Sequence, residues 1–176
     1  MKKLREKSET MKKSYHVKFL TKKDAALAEE VCQKSEDYFL MEQGRAATLA
    51  DAEGIISDLP EGKTRFDKFV IAILDDNEEA IGLVDVLADF PRKGQWMIGL
   101  LLLVPEVRQT GMGRVLHQVI KEWAEDGGAD SLRIGVLKEN SNAREFWEHL
   151  GYQFDSEKET IVGGKKHLVD VLTLAI

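Results

Sequence analysis

The chain contains a single cysteine, Cys32, and only three prolines and four histidines among its 176 residues. One cysteine excludes an intrachain disulfide framework. His16, His117, His149 and His167 are scattered, with none of the short Cys/His spacings of zinc sites, so no metal is expected. Long apolar runs are missing too. No segment reaches the roughly 18 consecutive apolar residues of a membrane-spanning helix. The N-terminal "MKKLREKSETMKK" is basic, but no apolar stretch of signal-peptide type follows it. It reads as a basic flexible tail over residues 1–13, ahead of one domain over 14–176. An excess of positive charge is also lacking: the formal net charge is −6, which argues against a broad nucleic-acid surface. These absences together lead to the expectation of a cytoplasmic protein with no nucleic-acid and no membrane partner.

What is present is an ordinary globular composition, 43% hydrophobic and 32% charged, in a length that suits one domain with a substantial core. "YHVKFLT" alternates like a strand, and Thr21 is placed to cap a long helix running towards Met41. "TLADAEGIISDL" reads as a second helix ending before Pro60. The period then changes. "KFVIAIL" and "AIGLVDVLADF", separated by the turn-forming "DDNEE", predict a hairpin, and "GQWMIGLLLLV" predicts a strand buried on both faces. A helix opens at Gly111, with Met112, Val115, Leu116, Val119, Ile120 and Trp123 at helical spacing, and stops at Gly127-Gly128. "SLRIGVL", the short helix "NSNAREFWEHL" and the strands "YQFDSE" and "HLVDVLTLAI" complete the order. The expected class is α/β (α+β), with a mixed central sheet of about seven strands covered by about four helices. The apolar last strand is a candidate surface for a homodimer.

The junction "LLLVPEVRQTGMGRVL" carries the most specific chemistry. It lacks the Gly-Lys-Ser/Thr ending of a Walker loop, and Leu116 stands where a dinucleotide fingerprint needs a third glycine. What remains is Arg-x-x-Gly-x-Gly, formed by Arg108, Gly111 and Gly113. The first amides of a helix lack intrahelical partners and lie at the positive end of its dipole. Glycines there let a phosphate approach those amides, and Arg108 and Arg114 add charged donors. The alternative is that the glycines serve only tight packing at a helix start.

This junction resembles the acetyl-CoA-binding motif of the GNAT family of N-acetyltransferases. "ENSNAREFWEHLGYQF" resembles a second segment of that family, matched at Asn140, Ala143, Phe146, Trp147, Gly151 and Tyr152. The order of elements from about Tyr15 onward is also similar to the family's fold. The resemblance implies that acetyl-CoA is the co-substrate and that an acetyl group passes to a primary amine by direct attack in a ternary complex. It implies that backbone groups of Leu101, Leu102 and Leu103 bond the pantetheine arm. Gln109, Thr110, Gly111, Met112, Gly113 and Arg114 would hold the pyrophosphate, with Arg108 at the loop's entrance. Asn140 and Phe146 would lie beside the pantetheine.

The reaction needs a neutral amine, a donor for the developing oxyanion and a proton for the departing thiolate. Many relatives supply that proton from a tyrosine, where this chain has Trp147; Tyr152 is expected to be a packing residue. Neither "WMIGLLLLV" nor "LRIGVL" offers the glutamate that often serves as base. Asp85 is the remaining candidate, sharing a strand face with Leu83 and Leu87, which would raise its pKa. Asp89 is the weaker choice. A water chain is the alternative base.

The segments before the hairpin carry Asp24, Glu29, Glu30, Glu36, Asp37, Glu42, Asp51, Glu53 and Asp58, an acidic balance that favours a cationic small-molecule acceptor. Tyr38, Phe39 and Trp96 are candidate pocket residues. Two other readings stay open: a protein acetyltransferase acting on an N-terminus or lysine, and a non-catalytic acyl-CoA-binding sensor.

Overall fold

The computed structural model describes residues 13–176, so all but the last residue of the expected basic tail lies outside the described residues. Seven strands form one mixed sheet in the order β1-β2-β3-β4-β5-β7-β6. They are β1 (His16–Phe19), β2 (Lys68–Leu74), β3 (Ala80–Leu87), β4 (Gln95–Leu103), β5 (Ser131–Leu137), β6 (Gln153–Val162) and β7 (Lys165–Ala175). Only β4 and β5 run parallel; the other neighbours are antiparallel. Five helices cover it: α1 (Ala25–Lys34), α2 (Glu36–Gln43), α3 (Leu49–Ser57), α4 (Met112–Asp126) and α5 (Ser141–His149).

The first helix is shorter than its periodicity predicts. Thr21 is an N-cap as expected, but it forms a capping box with Asp24 around a three-residue 3₁₀ turn that leads into α1. The run towards Met41 then breaks at Ser35, which leaves helical geometry at φ −106°, ψ 40°. Ser35 is fully buried and its Oγ turns towards the carbonyl of Leu103, 3.5 Å away. Three helices therefore precede the hairpin instead of two. α3 starts at a second capping box, from Thr48 and Asp51.

α1 packs against α3 and against β3 and β4 on one face of the sheet, while α4 packs on β4. Phe19, Phe69, Trp96 and Trp123 form an aromatic cluster under α4, with Trp96 and Phe69 stacked at 6.3 Å and Trp96 edge-on to Trp123 at 5.3 Å. Leu83, Val86, Leu132, Ile134 and Leu172 are fully buried and fill the sheet's centre. β7 lies between β5 and β6, so its apolar run is used inside the sheet and its backbone has no free edge.

β4 departs from the expectation of continuous burial. It is buried at Gln95, Trp96 and Ile98 and again at Leu102 and Leu103, but Gly99 is exposed and Leu100 and Leu101 are half-buried. Two registers explain this. β4 pairs with β5 only from Gln95 to Ile98, so beyond Ile98 the two parallel strands separate. On its other side the pairing with β3 slips, Val86 facing Ile98 and Asp85 facing Leu100. Gly99 is the extra residue of this bulge, the role an isolated strand glycine commonly has.

Candidate active site

Where β4 leaves β5, the chain runs through Val104 and a short 3₁₀ turn at Pro105–Val107 into the glycine loop. Gln109 and Gly111 both take positive φ, at 58° and 90°. That conformation suits glycine at 111 and is tolerated less well at 109. Thr110 Oγ1 donates to the carbonyl of Val107 at 2.7 Å and fixes the turn. The first hydrogen bond of α4 runs from Val115 N to Gly111 O at 3.2 Å, so the amides of Met112, Gly113 and Arg114 precede it. Among the described residues the amides of Gln109, Thr110 and Gly111 have no acceptor either. A Cβ placed on Gly111 would meet nothing within 4 Å, so the loop faces open space there. An anionic, phosphate-bearing ligand fits this array of free donors at the positive end of a 15-residue helix.

The two glycines have different reasons. Gly111 supplies the left-handed turn. A Cβ at Gly113 would come within 3.1 and 3.2 Å of the Phe146 ring, so Gly113 lets α4 and α5 pack closely. Arg108 is held in place rather than free: its Nε donates to Leu103 O at 2.8 Å, and its guanidinium forks onto Asp37 of α2. This ties the loop's entrance to the end of β4 and uses the Leu103 carbonyl. Asn140 caps α5, its Oδ1 accepting from Ala143 N at 3.1 Å. Leu101, Leu102 and Leu103 sit on the stretch of β4 that has separated from β5.

Trp147 is buried among His117, Phe146 and Tyr152. Tyr152 is buried as well, its hydroxyl 3.1 Å from His117 Nε2. Burial pushes the Tyr152 hydroxyl well above the usual phenol range and lowers His117 to about 4, so the hydrogen bond joins two neutral groups. Both side chains belong to the packing between α4, α5 and the sheet.

On the opposite face lies a cavity of about 370 Å³, lined by Tyr38, Phe39 and Glu42 of α2, Gly54, Ile55 and Asp58 at α3, Lys68, Asp85, Gly99, Leu100 and Val162. Tyr38 and Phe39 thus take the predicted place, whereas Trp96 does not: it points to the α4 side and joins the aromatic cluster. The turn of the β6–β7 hairpin closes one end. Gly163 leaves no room for a Cβ against Gln43, and Lys165 and His167 reach the carbonyls of Met41 and Glu42.

Asp85 stands on the cavity floor, its Oδ2 accepting from Lys68 Nζ at 2.8 Å. Its Oδ1 is buried and has no hydrogen-bond partner among the described residues. Burial pushes the Asp85 carboxyl above the usual carboxylate range, and Lys68 pulls it back part of the way. Asp89, the weaker candidate, is a turn residue at φ 52° that accepts from Gly94 N at 2.7 Å.

Four of the nine acidic residues before the hairpin are held by cations. Asp24 pairs with Lys18, Glu30 with Lys34, Asp37 with Arg108 and Asp51 with Arg45. Glu42 remains in the cavity wall beside the Tyr38 hydroxyl at 3.1 Å, its carboxyl raised by burial. Lys68 and Gly99 were the residues that sequence reasoning missed. The lone glycine in an apolar strand was the available signal for a bulge, whereas nothing local marks Lys68.

The sequence profile of the acetyltransferase (GNAT) family matches residues 28–152. The chain is 31% identical over 90 residues to the uncharacterized N-acetyltransferase YhfO of Bacillus subtilis (strain 168), a match covering 49% of this chain and 60% of that protein. In structure it is similar to an acetyltransferase from Thermus thermophilus, with a TM-score of 0.70 and 21% identity over 93% of this chain and 97% of the other. A ribosomal-protein alanine N-acetyltransferase from Escherichia coli superposes with a TM-score of 0.68 at 13% identity, covering 93% and 94%. Likenesses at such identities show the fold alone. The profile match over most of the chain shows the family, and the chain belongs to the GNAT acetyltransferases, a family of acetyl-CoA-dependent acyltransferases.

Proposed function

We propose that the protein transfers the acetyl group of acetyl-CoA to a primary amine of a small molecule that enters the cavity beside Asp85. The observation that carries this reading is the Asp85 carboxylate lining that cavity, one of its oxygens without a hydrogen-bond partner among the described residues, next to the point where β4 leaves β5. A buried carboxylate oxygen without a donor is costly, and an ammonium group would satisfy it.

The glycine loop, from Gln109 to Arg114, would hold the pyrophosphate on its free amides, with Arg108 bracing the entrance. Leu101, Leu102, Asn140 and Phe146 would flank the pantetheine arm. Acetyl-CoA supplies an activated acetyl thioester. The acceptor enters as an ammonium ion, gives one proton to Asp85 and attacks with the freed lone pair. The N–C bond forms as the C–S bond breaks, and the amine's second departing proton ends on sulfur. A carboxyl raised by burial is a stronger base than an exposed one, which suits this task. The modest volume of about 370 Å³, bounded at one end by the hairpin turn on α2, favours a small acceptor over a folded protein surface.

The test is release of free thiol from acetyl-CoA in the presence of polyamines, aminoglycosides, amino acids and lysine-containing peptides. Turnover of a small amine, lost in Asp85→Asn, is the expected result. Turnover of peptides alone would redirect the assignment to protein acceptors. Binding of acetyl-CoA with no turnover of any amine would leave a sensor.

A further inference from the structure

The Asp85 carboxylate has two oxygens in unlike surroundings. Lys68 on β2 and Asp85 on β3 lie two residues off direct register, on the same face, since Val70 faces Asp85 and Lys68 faces Leu87. Their side chains meet diagonally, and both are largely removed from solvent, 10% and 16% exposed. Gly99 fixes the other side: a Cβ there would stand 2.9 Å from Asp85 Oδ2. Oδ2 is therefore held between the bulge and the Lys68 ammonium, while Oδ1 has no donor.

The remaining charged groups facing Asp85 are few. α2 brings Glu42, bonded by the Tyr38 hydroxyl, and α3 brings Asp51 and Asp58. Asp51 is already engaged by Arg45, 2.7 and 3.0 Å away. β4 brings only Gly99 and Leu100, and the β6–β7 hairpin only Val162. Among the described residues lining the cavity, Lys68 is the one cation.

We propose that Lys68 is the positioning residue of the acceptor site, its ammonium on Asp85 Oδ2 keeping the carboxylate charged and fixed in the cavity wall where the acceptor's amine arrives. The inference rests on the reading of Asp85 as the amine's contact and adds what keeps that contact competent. A carboxyl this deeply buried takes up a proton unless a cation stands beside it. Protonated, it neither attracts an ammonium ion nor relieves it of a proton. With Lys68 on one oxygen, the carboxylate stays charged and is held in one orientation.

Carbon-13 labelling of aspartate follows the Asp85 carboxyl through a pH titration in the full chain, with n-butylammonium as the probe cation and no acetyl-CoA. In the wild type, butylammonium shifts the Asp85 signal at neutral pH. In Lys68→Met the titration midpoint rises by about one pH unit or more. Butylammonium affinity at pH 6 then falls by about tenfold for each unit by which the new midpoint stands above pH 6, and recovers above that midpoint. Lys68→Arg keeps the charge and holds the wild-type midpoint. A Lys68→Met midpoint equal to that of the wild type overturns the assignment of Lys68, as does an arginine variant that moves as far as the methionine variant. An Asp85 signal that ignores butylammonium in the wild type, while Lys68→Met still moves the midpoint, overturns instead the reading of Asp85 as the amine's contact.

Discussion

Replacing Gly113 with alanine sets two effects of opposite sign against each other. Gly113 sits in the first turn of α4 and has no positive φ, so alanine there fits the helix and gains up to about 1 kcal/mol of propensity. Against this, the new Cβ lies 3.1 Å from Phe146 Cζ and 3.2 Å from Cε2. Both are tighter than ordinary van der Waals contact, and crowding a packed contact costs about 1–3 kcal/mol. Crowding wins, leaving a net loss of about 1 kcal/mol, which corresponds to about 2–4 °C in Tm for a chain of this length. The assay is thermal unfolding of Gly113→Ala alone and in a Phe146→Leu background, read as a double-mutant cycle. Leucine removes the ring edge, so in that background alanine at 113 should be neutral or stabilising. A wild-type background in which Gly113→Ala raises Tm would refute the packing account of this glycine.

Three other outcomes follow from the same structure. Gly99→Ala pushes on Asp85 Oδ2, and is expected to slow acetyl transfer while leaving acetyl-CoA affinity unchanged; an equal loss of both would contradict it. Asn140→Ala removes the cap of α5 and should cost about 1 kcal/mol, seen as a lower Tm. His117 is lowered by burial from its ordinary 6.5 to about 4, so the unfolded chain binds a proton there before the folded one does. That stability is present above pH 6.5 and is lost as pH falls towards 4. With solvent screening discounted, wild type should lose about 1–2 kcal/mol more than His117→Gln between pH 7 and 4.5, measured by denaturant unfolding.

The sheet was largely readable because its strands are separated by turn residues and carry strong period-two or all-apolar signals, as in Lys68–Leu74 and Ser131–Leu137. The helix break at Ser35 was not, because the pattern on either side continues at helical spacing and the buried neighbour of Ser35, the Leu103 carbonyl, lies 68 residues away. The glycine loop was legible as an Arg-x-x-Gly-x-Gly string. Its division of labour was not: Gly113 answers to Phe146 on another helix, and Arg108 to Asp37. Trp96 could be read as a pocket or a core residue, because alternation does not say which face of a doubly covered sheet is which, and it lies in the core. Lys68 escaped notice for a similar reason, since its partner Asp85 becomes visible only with the β2–β3 register.

The central claim is that the β4–α4 junction binds acetyl-CoA through its free amides. It is tested most directly by calorimetric titration of the full chain with acetyl-CoA, comparing wild type with Gly111→Ala and Gly111→Glu. Position 111 has open space around its Cβ, so either side chain fits at the cost of its left-handed backbone, about 1–2 kcal/mol. Saturable one-site binding is predicted for the wild type, weakened in the alanine variant and abolished by the glutamate, whose charge would face the pyrophosphate. Binding by Gly111→Glu as tight as that of the wild type would contradict the account.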